Sequence, residues 1–579
     1  MRDWWRSLER RPEELTRGEW RAVIAATLVA AISRVLAMAR TPWDWDELLF
    51  MRALDHFDVA SHRPHPPGFP LFILAAKMVR GLGLSDFHSL QALNLIAAMA
   101  IVPAMFFLCR ELRMRAWTSL AAALMLAFFP NVWIYGAGGF SDVPSMTLIV
   151  TALGLLFAGC RSDRAYIMGA LVLAISAGFR PQNVLVGFVP LLIASWFRRR
   201  REVFAAVGII AAVIAVSYGA AAWLTGWSEY REALEVHRAY ILRVDSFLSP
   251  TRPPLWRVFD DFFVIPYRAP TINAIVAVLA LIGIIRRRPP ALVMLAAFGP
   301  LCIFSWLMLD HFSASRFSIG YAPLMAILAA LGIEGLELAV FPATVILMIV
   351  WAWPAVMEIR STISPPVAAI EWIRDHVDKR GATIYVDAGM VPFAEWYLSD
   401  YPIEPIAYAR PPAAFGRGEL IWLRENPRPV PRRRLWDILR HRYYDVSASA
   451  ADSQIVFGSG WYAEERHGSQ AWRWMGAHSV ATLPPLAGRA HLSLQLYVPL
   501  DALNGAPVVT VGVNGIVVDR FRASSRDIAR DVVVTAHGDR PNELTIDTDR
   551  AVVPAAKQLS GDRRALGLRV NSIGWMAPE

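Results

Sequence analysis

The stretch RAVIAATLVAAISRVLAMARTPWDWDELLF, residues 21–50, runs a long apolar segment straight into Asp44, Asp46 and Glu47. Residues 21–39 hold no acid, and a bilayer core takes about 20 apolar residues as an α-helix. The three carboxylates therefore come where the chain leaves a membrane. Further apolar runs follow at 88–109, 117–135, 144–160, 165–179, 183–197, 203–224, 271–285, 291–309, 318–334 and 339–357. A polytopic α-helical membrane protein of about eleven transmembrane helices is expected. Composition agrees: of 579 residues, 55% are hydrophobic and 18% charged, against about a quarter charged in soluble domains. The 22 tryptophans suit rings at membrane interfaces.

The arginines set the topology. Short clusters fall in alternate links: RELRMRA (110–116), RSDR (161–164), RRRRE (198–202) and RRRPP (286–290). The polar N-terminus carries Arg2, Arg6, Arg10, Arg11 and Arg17. The positive-inside rule puts all of these in the cytoplasm. A net charge of +9 dispersed in this way reads as topology, not as a nucleic-acid surface. The run after residue 20 is too long for a cleaved signal. The three cysteines lie in or beside apolar runs without metal or disulfide spacing. The chain divides into a cytoplasmic N-terminus (1–20) and a transmembrane domain (21–357) with outward loops 40–87 and 225–270. An odd number of spans places an α/β segment (358–454) and a β-sandwich (455–579) outside. The expected setting is a bacterial cytoplasmic membrane, with the C-terminal region periplasmic or extracellular. Loop 225–270 breaks the charge rule with Arg231, Arg238, Arg243, Arg252, Arg257 and Arg268.

Beyond 358, PPVAAIEWIRDHV (365–377) has helical periodicity, and ATIYVDAG (382–389) reads as a buried strand. EWYLSDY (395–401) and RRRLWDILRHRYYDV (432–446) are amphipathic pieces. From 455 the pattern turns to short alternating strands, with Asn514-Gly515 as a hairpin turn.

Several residues compete for chemistry, each with a plain structural alternative. The acids at 44–47 either act at a site or solvate the start of a helix. That helix, ELLFMRALDHFDV (47–59), has Phe50, Leu54 and Phe57 on one face, which suits a membrane surface. In RPHPPGFPLFILAAKM (63–78), His65 either bonds a carboxylate or is solvated, Gly68 lets the backbone turn or pack closely, and 71–82 is a juxtamembrane helix. Asp142 either faces the same cavity or caps the helix that starts near Pro144. Arg180 lies at membrane depth, where an unpaired charge is costly. It pairs with Asp142, holds a lipid phosphate, or snorkels. Gln182 and Asn183 beside it can donate to sugar hydroxyls.

The outward loop with Asp46-Glu47 and then HPPGFPL (65–71), SDVPSMTLIV (141–150), and SASRFSIGYAPLMAILAALGI (313–333) resemble the GT-C glycosyltransferases. The likeness is strongest to the branch of protein O-mannosyltransferases and aminoarabinose transferases, over roughly residues 20–360. It implies transfer of a sugar from a polyprenyl-phosphate donor to a glycan, lipid or protein acceptor on the outer face, with inversion. A carboxylate takes the acceptor's proton, and fixed cations stabilise the departing phosphate. Carried over, the base falls on Asp46, with Glu47 beside it. One branch spaces Asp and Glu by two residues, so Asp44 with Glu47 also fits. A divalent cation on Asp46 and Glu47 is possible; no cofactor is demanded. Arg316 is the first choice for a phosphate ligand, with Tyr267, Arg268 and His311 in the same layer. The C-terminal region resembles carbohydrate-binding modules, with Trp461, Trp472 and Trp474 either stacking on sugars or filling a core. A polysaccharide ligase or polymerase shares these substrates. A transporter or flippase would place charges at span centres on repeated halves, which the sequence lacks. A non-catalytic envelope scaffold displaying the sandwich is a third reading, weakened by the Asp-Glu loop and its HPPG.

Overall fold

The computed structural model describes residues 2–249, 252–267, 269–286, 288–334, 336, 340–379, 382–405, 419–426, 443–450, 455–467, 470–486, 488–557 and 562–576. Two compact units emerge: Met1–Ala368 with Pro427–Tyr443, and Ala369–Asn426 with Tyr444–Glu579.

The first unit is helical. Its helices are α1 (Arg2–Ser7), α2 (Arg17–Ala37), α3 (Trp45–Asp55), α4 (Pro70–Arg80), α5 (Asp86–Glu111), α6 (Ala116–Phe128), α7 (Pro130–Tyr135), α8 (Asp142–Ala158), α9 (Asp163–Phe179) and α10 (Asn183–Trp196). Next come α11 (Arg200–Thr225), α12 (Trp227–Tyr240), α13 (Leu255–Phe259), α14 (Pro270–Arg286), α15 (Arg288–Met308), α16 (Ala314–Phe317), α17 (Ala322–Ile333) and α18 (Val340–Ser361). A helix lies over every apolar run identified in the sequence. Among the described residues, six are long and apolar enough to cross a membrane by length and composition. Shorter apolar helices such as α6, α8, α10 and α14 accompany them.

Two expectations change. The run 117–135 is not one span but α6 and α7, broken at Phe129 (φ −53, ψ 129). Pro130 has no N–H and biases the residue before it away from helix. The break exposes carbonyls, and the fully buried Arg34 guanidinium donates to Ala127 O from between the Phe128 and Trp133 rings. The second change concerns α3, which does not lay an apolar face on a membrane surface. Leu48 through Met51, Ala53 and Leu54 are buried in protein, and the Phe50 ring meets those of Phe69 and Phe72 edge-on at 5.3 and 5.1 Å. The 71–82 segment is α4, a short helix as expected.

α14 and α17 cross at two glycines. A Cβ on Gly283 would fall on Leu328 O, and one on Gly332 would fall on Leu279 O. Small residues let membrane helices approach to backbone contact. This crossing fixes α17, and α17 follows directly on the turn that carries Arg316.

The second unit has a four-stranded sheet of order β2-β1-β3-β4, from β1 (Ala382–Val386), β2 (Ile403–Pro405), β3 (Glu419–Asn426) and β4 (Tyr443–Ala450). β1 runs parallel to β2 and β3. α19 (Pro365–His376) precedes the sheet, and α20 (Val391–Tyr397) lies between β1 and β2. Of the piece read as amphipathic at 432–446, residues 432–442 lie outside the described residues and the rest begins β4. The sandwich follows, with β5 (Val456–Phe457), β6 (Trp461–His467), β7 (Gln470–Met475), β8 (His478–Leu483), β9 (Gly488–Tyr497), β10 (Val508–Val513), β11 (Ile516–Arg522), β12 (Asp527–Ala536), β13 (Asn542–Thr548) and β14 (Arg569–Met576). Its sheets have the orders β11-β10-β13-β8-β5 and β12-β9-β14-β7-β6. Alternate residues fill the core between them, among them Leu492, Leu494 and Leu496 of β9, Val509 and Val511 of β10, and Leu544 and Ile546 of β13. Asn514 and Gly515 both take positive φ (54 and 78) between β10 and β11, as a two-residue hairpin requires.

Gly332→Ala should lower the melting temperature of the full chain by several degrees, since overpacking costs about 1–3 kcal/mol. Gly299 lies inside α15 with open space at its Cβ position, so Gly299→Ala should not lower the melting temperature in the same fluorimetric assay and should raise it slightly, since helical Gly costs about 0.5–1 kcal/mol against Ala.

Candidate active site

The three acids at the start of α3 do three different things. Asp44 is the N-cap, extended at φ −127 and ψ 150, and accepts the Asp46 N–H at 3.0 Å. Asp44 and Glu47 form a capping box, which satisfies helix-end donors reciprocally. Glu47 is 1% exposed. Its Oε2 accepts the N–H groups of Trp43 (2.6 Å) and Asp44 (3.0 Å), and its Oε1 accepts that of Gly139 (2.6 Å). A Cβ on Gly138 would lie 2.7 Å from Glu47 Oε1, so only glycine lets the 136–140 turn come this close. The same turn is pinned from α5. Asn94 Nδ2 donates to Tyr135 O and Gly138 O, both at 2.9 Å. Gln91 Nε2 donates to Ala39 O (2.9 Å) and Ala137 O (2.8 Å). Glu47 is thus a strut between α3 and this turn. Burial pushes its carboxyl up to about 7, against the opposing effect of its three N–H donors.

Asp46 points into the cluster. Arg316 Nη2 lies 2.6 Å from its Oδ2, and His65 Nδ1 lies 3.7 Å from its Oδ1. Arg316 Nη1 also lies 3.8 Å from Asp44. The nearest charge to Asp46 is therefore a guanidinium. Arg316 sits on the single turn α16 against the rings of Phe140 (5.6 Å) and Phe317 (5.1 Å). Asn131, fully buried just past the α6–α7 break, donates to Ser315 O (2.9 Å) and Ser318 Oγ (2.8 Å). It holds the residues on both sides of Arg316.

A second ion pair completes the group. Arg180 Nη2 bonds Asp142 Oδ2 at 2.7 Å, and its Nε donates to Ser141 Oγ at 3.0 Å. Ser141 is the N-cap of α8 but makes no side-chain cap bond, so Asp142 serves Arg180 instead of capping. The Arg180 guanidinium lies over Phe69 at 5.6 Å. Asn183 binds Ser145 Oγ at 2.8 Å.

His65 packs against Phe50 and Phe69, with ring centroids 5.7 and 4.8 Å apart. Burial pushes its imidazole down to about 4, outweighing the attraction of Asp46. It is neutral near pH 7. Gly68 has φ +104, and a Cβ there would meet Val59 Cγ2 at 2.9 Å. Both expected uses of this glycine, the turn and the close packing, hold. Tyr230 of α12 donates to Pro67 O at 3.0 Å and ties that helix to the loop.

Among the described residues, two buried nitrogens of the cluster, Arg316 Nε and His65 Nδ1, have no hydrogen-bond partner. Buried polar atoms are nearly always paired, so these two are the donors open to a ligand's acceptor.

Other candidates go elsewhere. His311 Nδ1 lies 3.4 Å from Asp261, and Tyr267 stacks on Phe129 at 4.8 Å. Gln182 stands at the N-cap of α10 without a side-chain cap bond. Arg268 lies outside the described residues. Of the loop arginines, Arg252 donates to the carbonyls of Trp306 (2.8 Å), Leu307 (2.6 Å) and Leu309 (3.0 Å) at the end of α15, and Arg231 pairs with Glu235. Asp46 and Glu47 do not fit a divalent cation. Both Glu47 oxygens accept backbone N–H groups, and a guanidinium faces Asp46. Among the described residues no group of three or more His, Cys, Asp or Glu has metal-binding geometry. In the sandwich, Trp461 is 3% exposed and belongs to the core, which removes it as a sugar platform. Trp472 is covered by Arg569 at 4.9 Å and donates to Glu465 at 3.1 Å; Trp474 meets Tyr497 edge-on.

No family model matches the chain. Over 137 residues it is 32% identical to a Dol-P-Glc:Glc(2)Man(9)GlcNAc(2)-PP-Dol alpha-1,2-glucosyltransferase of Yarrowia lipolytica. That match spans 22% of this chain and 26% of the relative's length. Among solved structures, the chain is similar to ArnT from Cupriavidus metallidurans bound to undecaprenyl phosphate. Identity is 12% and the TM-score 0.49, over 70% of this chain and 93% of that one. It is also similar to the arabinofuranosyltransferase AftD from Mycobacteria, at 12% identity and a TM-score of 0.42, over 99% of this chain and 60% of that one.

Glu47→Gln turns an amide NH2 toward backbone N–H donors and should cost about 1–3 kcal/mol. The folded group titrates near 7 and the unfolded one near 4.5. Its contribution is full below the lower value and lost as pH rises through the upper one. The wild-type margin in melting temperature over Glu47→Gln should therefore shrink between pH 5 and pH 8; a constant margin contradicts the burial argument.

Proposed function

We propose that the chain is a membrane glycosyltransferase that moves a sugar from a polyprenyl-phosphate donor to an acceptor hydroxyl at the outer face, with inversion at the anomeric carbon. The observation that carries this reading is the ion-paired Asp46 beside two unpartnered buried nitrogens, at the membrane end where the spans stop. The glucosyltransferase likeness supports the reaction class, since that relative's name includes a dolichol-phosphate sugar.

In the reaction, the acceptor oxygen forms a bond to the anomeric carbon as the bond to the phosphate oxygen breaks. The electron pair leaves with the lipid phosphate, and the acceptor proton passes to Asp46. A positioned carboxylate contributes about 10²–10⁴-fold to such a transfer. Arginine offers five donors in a fixed fork. Arg316 can thus keep Nη2 on Asp46 while Nε meets the phosphate, whose charge grows in the transition state. Neutral His65 stands 3.7 Å from Asp46 and adds no charge to the cluster. Asp142, Arg180 and Asn183 form the polar wall suited to sugar hydroxyls. The acceptor is a hydroxyl of a glycan, a lipid or a protein.

The test is turnover by the full chain in lipid nanodiscs with a panel of polyprenyl-phosphate sugars. Asp46→Asn should lower kcat by about 10²–10⁴-fold, and Arg316→Lys by about 10²–10³-fold. Asn caps helices about as well as Asp, so Asp44→Asn should stay within roughly tenfold of wild type. Full activity of Asp46→Asn, or no turnover of any donor, would overturn the assignment.

A further inference from the structure

At the opposite end of the helical unit, the N-terminal segment is built into the protein. Trp4 Nε1 donates to Leu112 O at 3.3 Å. Arg113, just beyond α5, donates from Nε to Ser7 O (2.9 Å) and from Nη2 to Leu8 O (3.2 Å) and Arg10 O (2.6 Å). Arg110 Nη2 reaches Glu13 O at 2.8 Å, and Leu8 is fully buried. These bonds hold α1 as a wall beside the end of α10, where Trp5 stacks on Phe197 at 6.2 Å.

Between the two lies a groove of about 550 Å³ lined by Trp5, Arg6, Glu9, Leu192, Ile193, Trp196 and Phe197. That volume falls within the range of about 300–1,000 Å³ typical of ligand pockets. Its floor is apolar, and Trp196 is 86% exposed at its edge, as a ring at a membrane interface would be. The rim is basic. Arg198 is used by Asp163 and Cys160 O, and Arg201 by Glu202. Arg6, Arg199 and Arg200 are exposed, and Arg199 acts on Glu202 together with Arg201. Glu9 is the single acid in the lining.

An apolar slot with Arg6 in its lining and a run of arginines directly after Phe197 fits one kind of occupant. We propose that this groove binds an anionic phospholipid of the surrounding bilayer, with one acyl chain between α1 and α10 and the phosphate group among Arg6, Arg199 and Arg200. Clusters of basic residues at the end of a span attract acidic headgroups, and the apolar floor supplies the chain's burial. The site is separate from the carboxylate cluster, because α2 and α5 each run the length of the unit between the two ends.

The experiment is native mass spectrometry of the full chain in uncharged detergent, with phosphatidylglycerol, phosphatidylcholine of the same acyl chains, or polyprenyl phosphate added. Phosphatidylglycerol should be retained, one molecule per chain, at concentrations where phosphatidylcholine is lost. The triple variant R6E/R199E/R200E should weaken that retention at least tenfold. Leu192→Trp, which fills the slot from an exposed position, should abolish it without lowering the melting temperature. Equal retention of the two phospholipids, retention unchanged in both variants, or a preference for polyprenyl phosphate that the triple variant removes would each overturn the proposal.

Discussion

The ion pair between Asp46 and Arg316 joins the loop after α2 to the turn before α17, and most of the buried polar structure around it brings those two segments together. On one side, Glu47 locks the first turn of α3 onto the 136–140 turn, which Gln91 and Asn94 hold from α5. On the other, Asn131 grips the residues flanking Arg316, and the glycine crossing of α14 and α17 seats the helix that follows. Charges buried at this depth are costly unless paired and hydrogen-bonded. Both arginines of the cluster have carboxylate partners, and Arg316 Nε and His65 Nδ1 are left without a hydrogen bond among the described residues.

Much of this was legible in the sequence. Apolar runs of span length located the helices, because a lipid-exposed backbone must satisfy itself internally. An arginine at membrane depth required a partner, and Arg180 found Asp142. The acids of WDWDELLF were harder. Asp44 and Glu47, three residues apart, fit a catalytic spacing equally well, yet that spacing is also a capping box, and this is the use the protein makes of it. Which carboxylate points outward depends on where the helix begins, and sequence locates helix ends poorly. The break at Phe129 was hidden by the continuous hydrophobicity of 117–135. Its signal was Pro130 with Asn131 behind it, a helix breaker followed by an amide that needed partners. Gln91 and Asn94 carried a similar signal, two amides one turn apart in an apolar run. Trp461 misled because an aromatic that fills a core and one that stacks on a sugar look alike without strand register.

The roles within the cluster follow from these placements. Asp44 begins the helix, Glu47 anchors it, and Asp46 makes the short ion pair with Arg316. The central claim is that Asp46 and Arg316 serve different halves of one reaction, the carboxylate taking the acceptor's proton and the guanidinium receiving the lipid phosphate. Equilibrium binding of a polyprenyl phosphate to the full chain separates the two roles, because it needs no acceptor. Arg316→Gln should weaken binding at least tenfold, while Asp46→Asn should bind as tightly as wild type or tighter. Unchanged binding in Arg316→Gln, or equal losses in both variants, would contradict this division of roles.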